Sequence, residues 1–207
     1  MNAIAKPARD DRREAILAIA REVFMEEGYA AASMSAIAAR VGGSKGTLYN
    51  YFRSKAELFG AVIRSQCDAE QAVMFALEDA QGDLVKALTT LGRRLVRVML
   101  SDEVITIQRI VVAESARFPE LGEAYYEAGP RQGKERIAAL IAQAMKQGQL
   151  RQADPGIAAE HAVELALAGL YRRRLLNVPP APTEAEIDAN VDAALAVFMA
   201  AYGPQAK

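Results

Sequence analysis

Two short apolar-patterned segments, set back to back across Gly42-Gly43, constrain this chain more than any other feature. Ile37, Ala38 and Val41 recur at helical spacing before the glycine pair, and Leu48 follows it inside a second short segment, 45–52. Ser33 or Ser35 can cap the first segment, and Ser44 the second. This spacing meets the demands of a helix-turn-helix. Ala38 is the small residue where the helices cross, Gly42 tolerates the positive φ of the turn, and Leu48 faces back to the core. Gly43 stands where a branched apolar residue is usual, which leaves the turn looser. Ser54 with Glu57 then forms a capping box for a longer helix carrying Leu58, Phe59, Val62 and Ile63 and continuing to about residue 80.

Charge sharpens this picture. The 207 residues sum to −1, which excludes a protein coated in positive charge. The sum hides an asymmetry: residues 1–60 carry a net +2 and residues 61–207 a net −3. Residues 28–56 hold no acid at all, only Arg40, Lys45, Arg53 and Lys55. The outward side of the second short helix bears Lys45, Thr47, Tyr49, Asn50 and Tyr51, whose ammonium, hydroxyl and amide groups can reach phosphate oxygens and base edges in a major groove. Ser44 leaves the helix N-terminus facing outward for a phosphate, and Lys55 begins the next helix as a second phosphate anchor.

Elsewhere the chain reads as helix. Alanine, the strongest helix former, supplies about a fifth of the residues. Helices are expected over 12–27, 84–98, 104–116, 119–147 with a kink or interruption at Gly129-Pro130, 154–177 and 183–202, giving about nine in all. The expected fold class is all-α. A head over 10–60 precedes a helical body over 61–207.

The function classes narrow accordingly. The single cysteine, Cys67, forms no internal disulfide and suits a reducing compartment. No apolar run reaches the length of a membrane span and the N-terminus lacks a signal-like segment, so a cytoplasmic protein with no membrane partner is expected. His161, beside Glu160 and Glu164, has no converging ligand pattern, so no metal or cofactor is expected. No nucleophile–base pair, phosphate loop or metal constellation points to catalysis. Arg172-Arg173-Arg174 reads as a basic helix C-terminus that complements the helix dipole.

The stretch MSAIAARVGGSKGTLYNYFRSKAELF, residues 34–59, resembles the DNA-binding signature of TetR-type repressors, and the likeness extends over 12–63. A second stretch, IVVAESARFPELGEAYYEAGP at 110–130, resembles the C-terminal domain of the AefR-like branch of that family. The resemblance implies a three-helix DNA-binding head and an all-α domain for ligand binding and dimerisation. It implies phosphate contacts by Thr47, Tyr49 and Lys55 and positions near bases for Lys45, Gly46 and Asn50. Ser35, Ser44 and Tyr51 complete the expected DNA-contacting set. The expected partners are double-stranded operator DNA, a second copy of the chain, and an apolar or amphipathic small-molecule effector that releases the repressor.

Two further sets of residues belong to the body. Ala162, Leu165, Ala166 and Gly169 on one helix, with Ala193, Ala196 and Ala200 on the last, form small-residue faces suited to a two-fold interface or to packing within one subunit. Met74, Leu91, Leu95, Met99, Ile107, Ile110, Tyr125 and Tyr171 are candidates to line an effector pocket, though each also suits plain core.

Overall fold

A computed structural model describes residues 9–75 and 83–204, with side chains described over 9–67 and 83–204. Eleven helices and no strand occur among the described residues: α1 (Arg9–Ala31), α2 (Met34–Arg40), α3 (Lys45–Tyr49), α4 (Lys55–Phe75), α5 (Leu84–Leu100), α6 (Asp102–Glu114), α7 (Pro119–Ala128), α8 (Pro130–Lys146), α9 (Pro155–Leu167), α10 (Leu170–Leu175) and α11 (Glu184–Tyr202). The all-α expectation holds. The continuation of α4 to residue 80 lies outside the described residues.

The helix count exceeds nine because two long segments are each cut in two. Pro130, which has no N–H to continue the preceding helix, opens α8 after α7 has closed at Gly129. The segment 154–177 breaks at Ala168 and Gly169, where Gly169 takes φ +77. Asn190 of α11 donates its side-chain N–H to the Ala166 carbonyl at 2.6 Å, satisfying an acceptor that the break leaves without a helical partner.

The residues pack as two units. The first joins Met1–Asp68 with Ile110–Gly129. Its core holds Ile16, Ala20, Val23, Phe24, Ile37, Leu48, Leu58, Phe59 and Leu121, all under 3% exposed. Gly60 lets α7 approach α4 closely, since a Cβ there would lie 3.3 Å from that of Ala124. A boundary at 60/61 therefore falls inside a continuous packed helix, and 110–129, expected in the body, packs with the head.

The second unit joins Ala69–Arg109 with Pro130–Lys207. One core cluster centres on Leu91, Ile141, Leu150, Ala158 and Phe198, another on Val96, Ala166, Leu167, Leu170 and Val191. A Cβ at Gly92 would lie 2.9 Å from Cγ1 of Val191, so α5 and α11 cross there with no room for a side chain. Arg93 and Arg97 of α5 pair with Glu184, Asp188 and Asp192 of α11 along the same seam. The Arg172-Arg173-Arg174 run does more than complement a dipole. Arg173 donates to Glu186 and the Pro180 carbonyl, and Arg174 donates to the Leu100 carbonyl and Asp102.

Candidate nucleic-acid interface

The helix-turn-helix is built by caps on both helices. Ser33, not Ser35, caps α2: its Oγ accepts the Ala36 N–H at 3.1 Å. Gly42 then takes φ +71, with nothing within 4 Å of a Cβ placed there, so glycine answers a backbone requirement rather than a steric one. The N–H groups of Gly42 and Gly43 return to the carbonyls of Ala39 and Ala38 and close α2. Ser44 caps α3 by accepting the Thr47 N–H at 3.1 Å, and its Oγ also lies 2.9 Å from Oγ1 of Thr47.

Packing sorts α3 into two faces. Leu48 is buried with Ile37, Ala38 and Phe52. Ser35, Ser44, Lys45, Gly46, Thr47, Tyr49 and Asn50 are exposed, and Tyr51 is half-buried. Tyr49 is 41% exposed, which is high for a large aromatic, and Lys45 Nζ stands 5.8 Å from its ring centre. Hydroxyl, amide and ammonium groups thus lie on one outward face, held there by a buried leucine.

Lys55 is placed otherwise than expected. Its ammonium donates to the carbonyls of Tyr29 at 2.5 Å, Ala32 at 2.9 Å and Ala30 at 3.5 Å, and it lies 4.2 Å from the Tyr29 ring centre and 5.6 Å from that of Phe118. Burial lowers its pKa, with Glu114 and Glu120 pulling the other way. An ammonium so satisfied is a tether that fastens the first turn of α4 to the end of α1, and the phosphate-anchor role is corrected accordingly. Arg40 is likewise drawn back, to Glu26 at 2.7 Å and Glu27 at 3.4 Å, and its pKa is raised by the hydrogen bond to Glu26. Lys45 and Arg53 remain as the exposed cations of the acid-free segment whose charges point away from the fold.

One residue at this face escaped sequence reasoning. Arg12, on the first turns of α1, donates from Nη2 to the Gly42 carbonyl at 3.4 Å, and a Cβ on Gly43 would meet that nitrogen at 3.2 Å. The unexpected glycine at 43 was the available signal: its missing side chain makes room for a guanidinium, which braces the turn.

The expected pocket residues do not converge as one group. Leu91 and Leu95 belong to the first core cluster of the second unit, and Met99 and Tyr171 pack on the other. Ile107 is buried in that unit, whereas Ile110 and Tyr125 belong to the first unit. The Met74 side chain lies outside the described residues. Of the expected interface residues, Ala193, Ala196, Ala200 and Gly169 are exposed. Ala162 and Leu165 are half-buried against the first cluster, and Ala166 is 5% exposed inside its own subunit, so its interface role is corrected. Among the described residues no group of three or more His, Cys, Asp or Glu could hold a metal ion. His161 Nδ1 instead lies 2.6 Å from the Tyr202 hydroxyl.

The fold and the two-faced α3 define a helix-turn-helix DNA-binding protein. Residues 16–62 match the model for bacterial regulatory proteins of the tetR family, and residues 86–204 match that for the C-terminal domain of AefR-like transcriptional repressors. The chain belongs to the TetR family of transcriptional regulators, which are not enzymes. The flavonoid-responsive regulator FrrA is 31% identical, with 95% of this chain and 100% of that chain covered and a TM-score of 0.82. A TetR-family regulator from Mesorhizobium loti is 29% identical, with 95% of this chain and 100% of that chain covered and a TM-score of 0.81. The transcriptional activator FasR of Mycolicibacterium smegmatis is 50% identical over 60 residues, 29% of this chain and 27% of that protein. The regulator UidR of Escherichia coli K12 is 43% identical over 70 residues, 34% of this chain and 35% of that protein. No described helix is long and apolar enough to cross a membrane.

Proposed function

We propose that this chain is a cytoplasmic homodimeric repressor that leaves its operator when a small-molecule effector binds its helical body. The observation that carries the DNA-binding half is the exposed face of Ser44, Lys45, Thr47, Tyr49 and Asn50 on a helix anchored by Leu48. The repressor sign is favoured by the match of residues 86–204 to the model for the C-terminal domain of AefR-like transcriptional repressors. Ser35, Gly46 and Tyr51 flank the contacting face, and Lys55 acts through the fold of the head rather than on phosphate.

Dimerisation is favoured by an apolar exposed side of α11. Ala189, Ala193, Ala196, Val197 and Ala200 all face outward there, and Val197 is 54% exposed. Paired heads then read two half-sites about one helical turn apart or a multiple of it. The effector shifts the head spacing by binding one of the two states more tightly. FrrA is named for its response to flavonoids, and by similarity an amphipathic aromatic effector is assigned to this chain. A mobility-shift assay on the promoter regions beside its own gene tests the reading. A salt-sensitive, sequence-specific shift by a dimer, relieved by a flavonoid-type compound, is the expected result, and binding without sequence preference contradicts it.

A further inference from the structure

Arg12 of α1 meets the turn between α2 and α3 at two points. Its Nη2 donates to the Gly42 carbonyl at 3.4 Å, and a Cβ on Gly43 would lie 3.2 Å from that same nitrogen. Gly42 takes a positive φ but Gly43 does not, so a side chain at 43 would meet no backbone strain. What Gly43 leaves is room, and the guanidinium occupies it. The same Cβ position lies 3.9 Å from Cβ of Thr47, so the guanidinium and the first turn of α3 share one edge of the outward face.

The contact with the turn leaves most of the guanidinium unused. A guanidinium carries five N–H donors, and a single long hydrogen bond engages one of them. Arg12 forms no ion pair among the described residues. Arg40 and Lys55 differ in this respect. Arg40 is paired with Glu26 at 2.7 Å, and the Lys55 ammonium donates to the carbonyls of Tyr29 and Ala32. Arg12 is thus a cation of the first unit that the fold positions at the turn without neutralising it.

We infer that Arg12 donates to a backbone phosphate at the edge of the groove that α3 enters, and that Gly43 is the residue that admits it there. The inference rests on the DNA-binding reading above and adds to it a contact from α1, outside the helix-turn-helix. A guanidinium offers a phosphate two parallel N–H donors in a fixed fork. The Gly42 carbonyl holds that fork in place beforehand, so less side-chain freedom is lost when DNA arrives. A phosphate carries no base identity, so the contact adds affinity and register rather than sequence preference.

The test uses the full-length protein, a fragment of the promoter beside its own gene and an unrelated duplex, each titrated at several salt concentrations. Wild type is compared with Arg12→Ala, Gly43→Val and the double variant. Gly43→Val fills the room with a branched side chain and drives the guanidinium off the turn. Arg12→Ala should weaken binding to both duplexes by the same factor, about threefold to tenfold, and flatten the salt slope by about one for each bound head. Gly43→Val should reproduce that loss in the wild-type background and add nothing to it in Arg12→Ala. Wild-type affinity and slope in Arg12→Ala overturn the inference. An affinity loss with an unchanged slope also overturns it, since Arg12 would then only brace the turn. Additive losses in the double variant would sever Gly43 from the contact and overturn that half of the inference. Equal wild-type affinity for the two duplexes contradicts the operator reading and, with the Arg12→Ala slope flattened, leaves the phosphate contact standing. Wild type that binds neither duplex overturns both.

Discussion

The Lys55 ammonium donates to the backbone carbonyl of Tyr29 at 2.5 Å while standing 4.2 Å from the centre of the same residue's ring. One cation thereby caps the carbonyls that end α1 and fills the electron-rich face of an aromatic ring only 1% exposed. The Tyr29 ring in turn packs edge-on against Phe59 of α4, at 5.6 Å between centroids, and Phe118 ahead of α7, at 5.4 Å. The end of α1, the start of α4 and the residue that opens α7 meet at this pair.

Replacing Lys55 by Met keeps the stem and removes the charge. The substitution should cost the head about 1–3 kcal/mol of stability by leaving part-buried carbonyls unpaired. Chemical denaturation followed by the far-ultraviolet signal checks this. Loss of DNA affinity with unchanged stability would return Lys55 to the role of a phosphate anchor.

Tyr29 makes a pH prediction. Burial, with Glu120 and Glu114 nearby, raises its phenol from 10.0 to about 12. The folded chain then holds a proton that the unfolded chain releases, so the stabilisation is complete below pH 10 and lost as pH rises toward 12. Lys55 acts with the opposite sign. Its pKa is depressed below 10.5, so the cost of burying its charge is relieved as pH climbs through that lowered value. Tyr29→Phe has no phenol to titrate and should show a smaller loss of stability than wild type between pH 10 and 12. Parallel pH curves for the two proteins would exclude the phenol as the source.

The turn yields a test of backbone strain alone. Gly42→Ala adds a Cβ into open space, so its effect of roughly 1 kcal/mol comes from φ +71 and not from a clash. Arg12→Ala should lower the stability of the same turn by a few tenths of a kcal/mol, the scale of an exposed contact. Wild-type stability in Gly42→Ala would mean that the turn relaxes to negative φ.

On α11, Ala196→Glu places a charge in the exposed apolar side; if the chain pairs through that side as proposed, wild type should run as a dimer and the variant as a monomer, read by light scattering after gel filtration. Ala166→Leu should instead destabilise each subunit by about 1–3 kcal/mol through overpacking, because Ala166 is already buried. A dimer that survives Ala196→Glu would move the interface elsewhere.

Local chemistry made much of the fold readable in advance. Ser44 caps α3 as its place in the sequence announces, and the helices expected from about 84, 154 and 183 begin at caps formed by Asp83, Asp154 and the Thr183–Glu186 box. The outward set on α3 was legible because Leu48 fixes the helix rotation and the polar residues follow. Long-range packing was not legible. Nothing near Phe118 or Leu121 reveals that α7 packs with the head, since that depends on Gly60 meeting Ala124 across 64 positions of chain. Basic residues were over-counted at the DNA face for the same reason. Arg40 is paired with Glu26 and Glu27, and the Lys55 ammonium donates to backbone carbonyls, partners that only folding brings within reach.

The most direct test is the salt dependence of operator affinity for wild type, Lys45→Ala and Tyr49→Ala, measured on the same promoter fragment and on an unrelated duplex. If the exposed face of α3 reads DNA, wild-type affinity for the promoter falls linearly with log salt and exceeds that for the unrelated duplex by about a thousandfold or more. Lys45→Ala then lowers affinity and flattens the salt slope by about one, and Tyr49→Ala lowers affinity with helix content and dimerisation intact. Wild-type affinity and slope in both variants would contradict the assignment of this face to DNA.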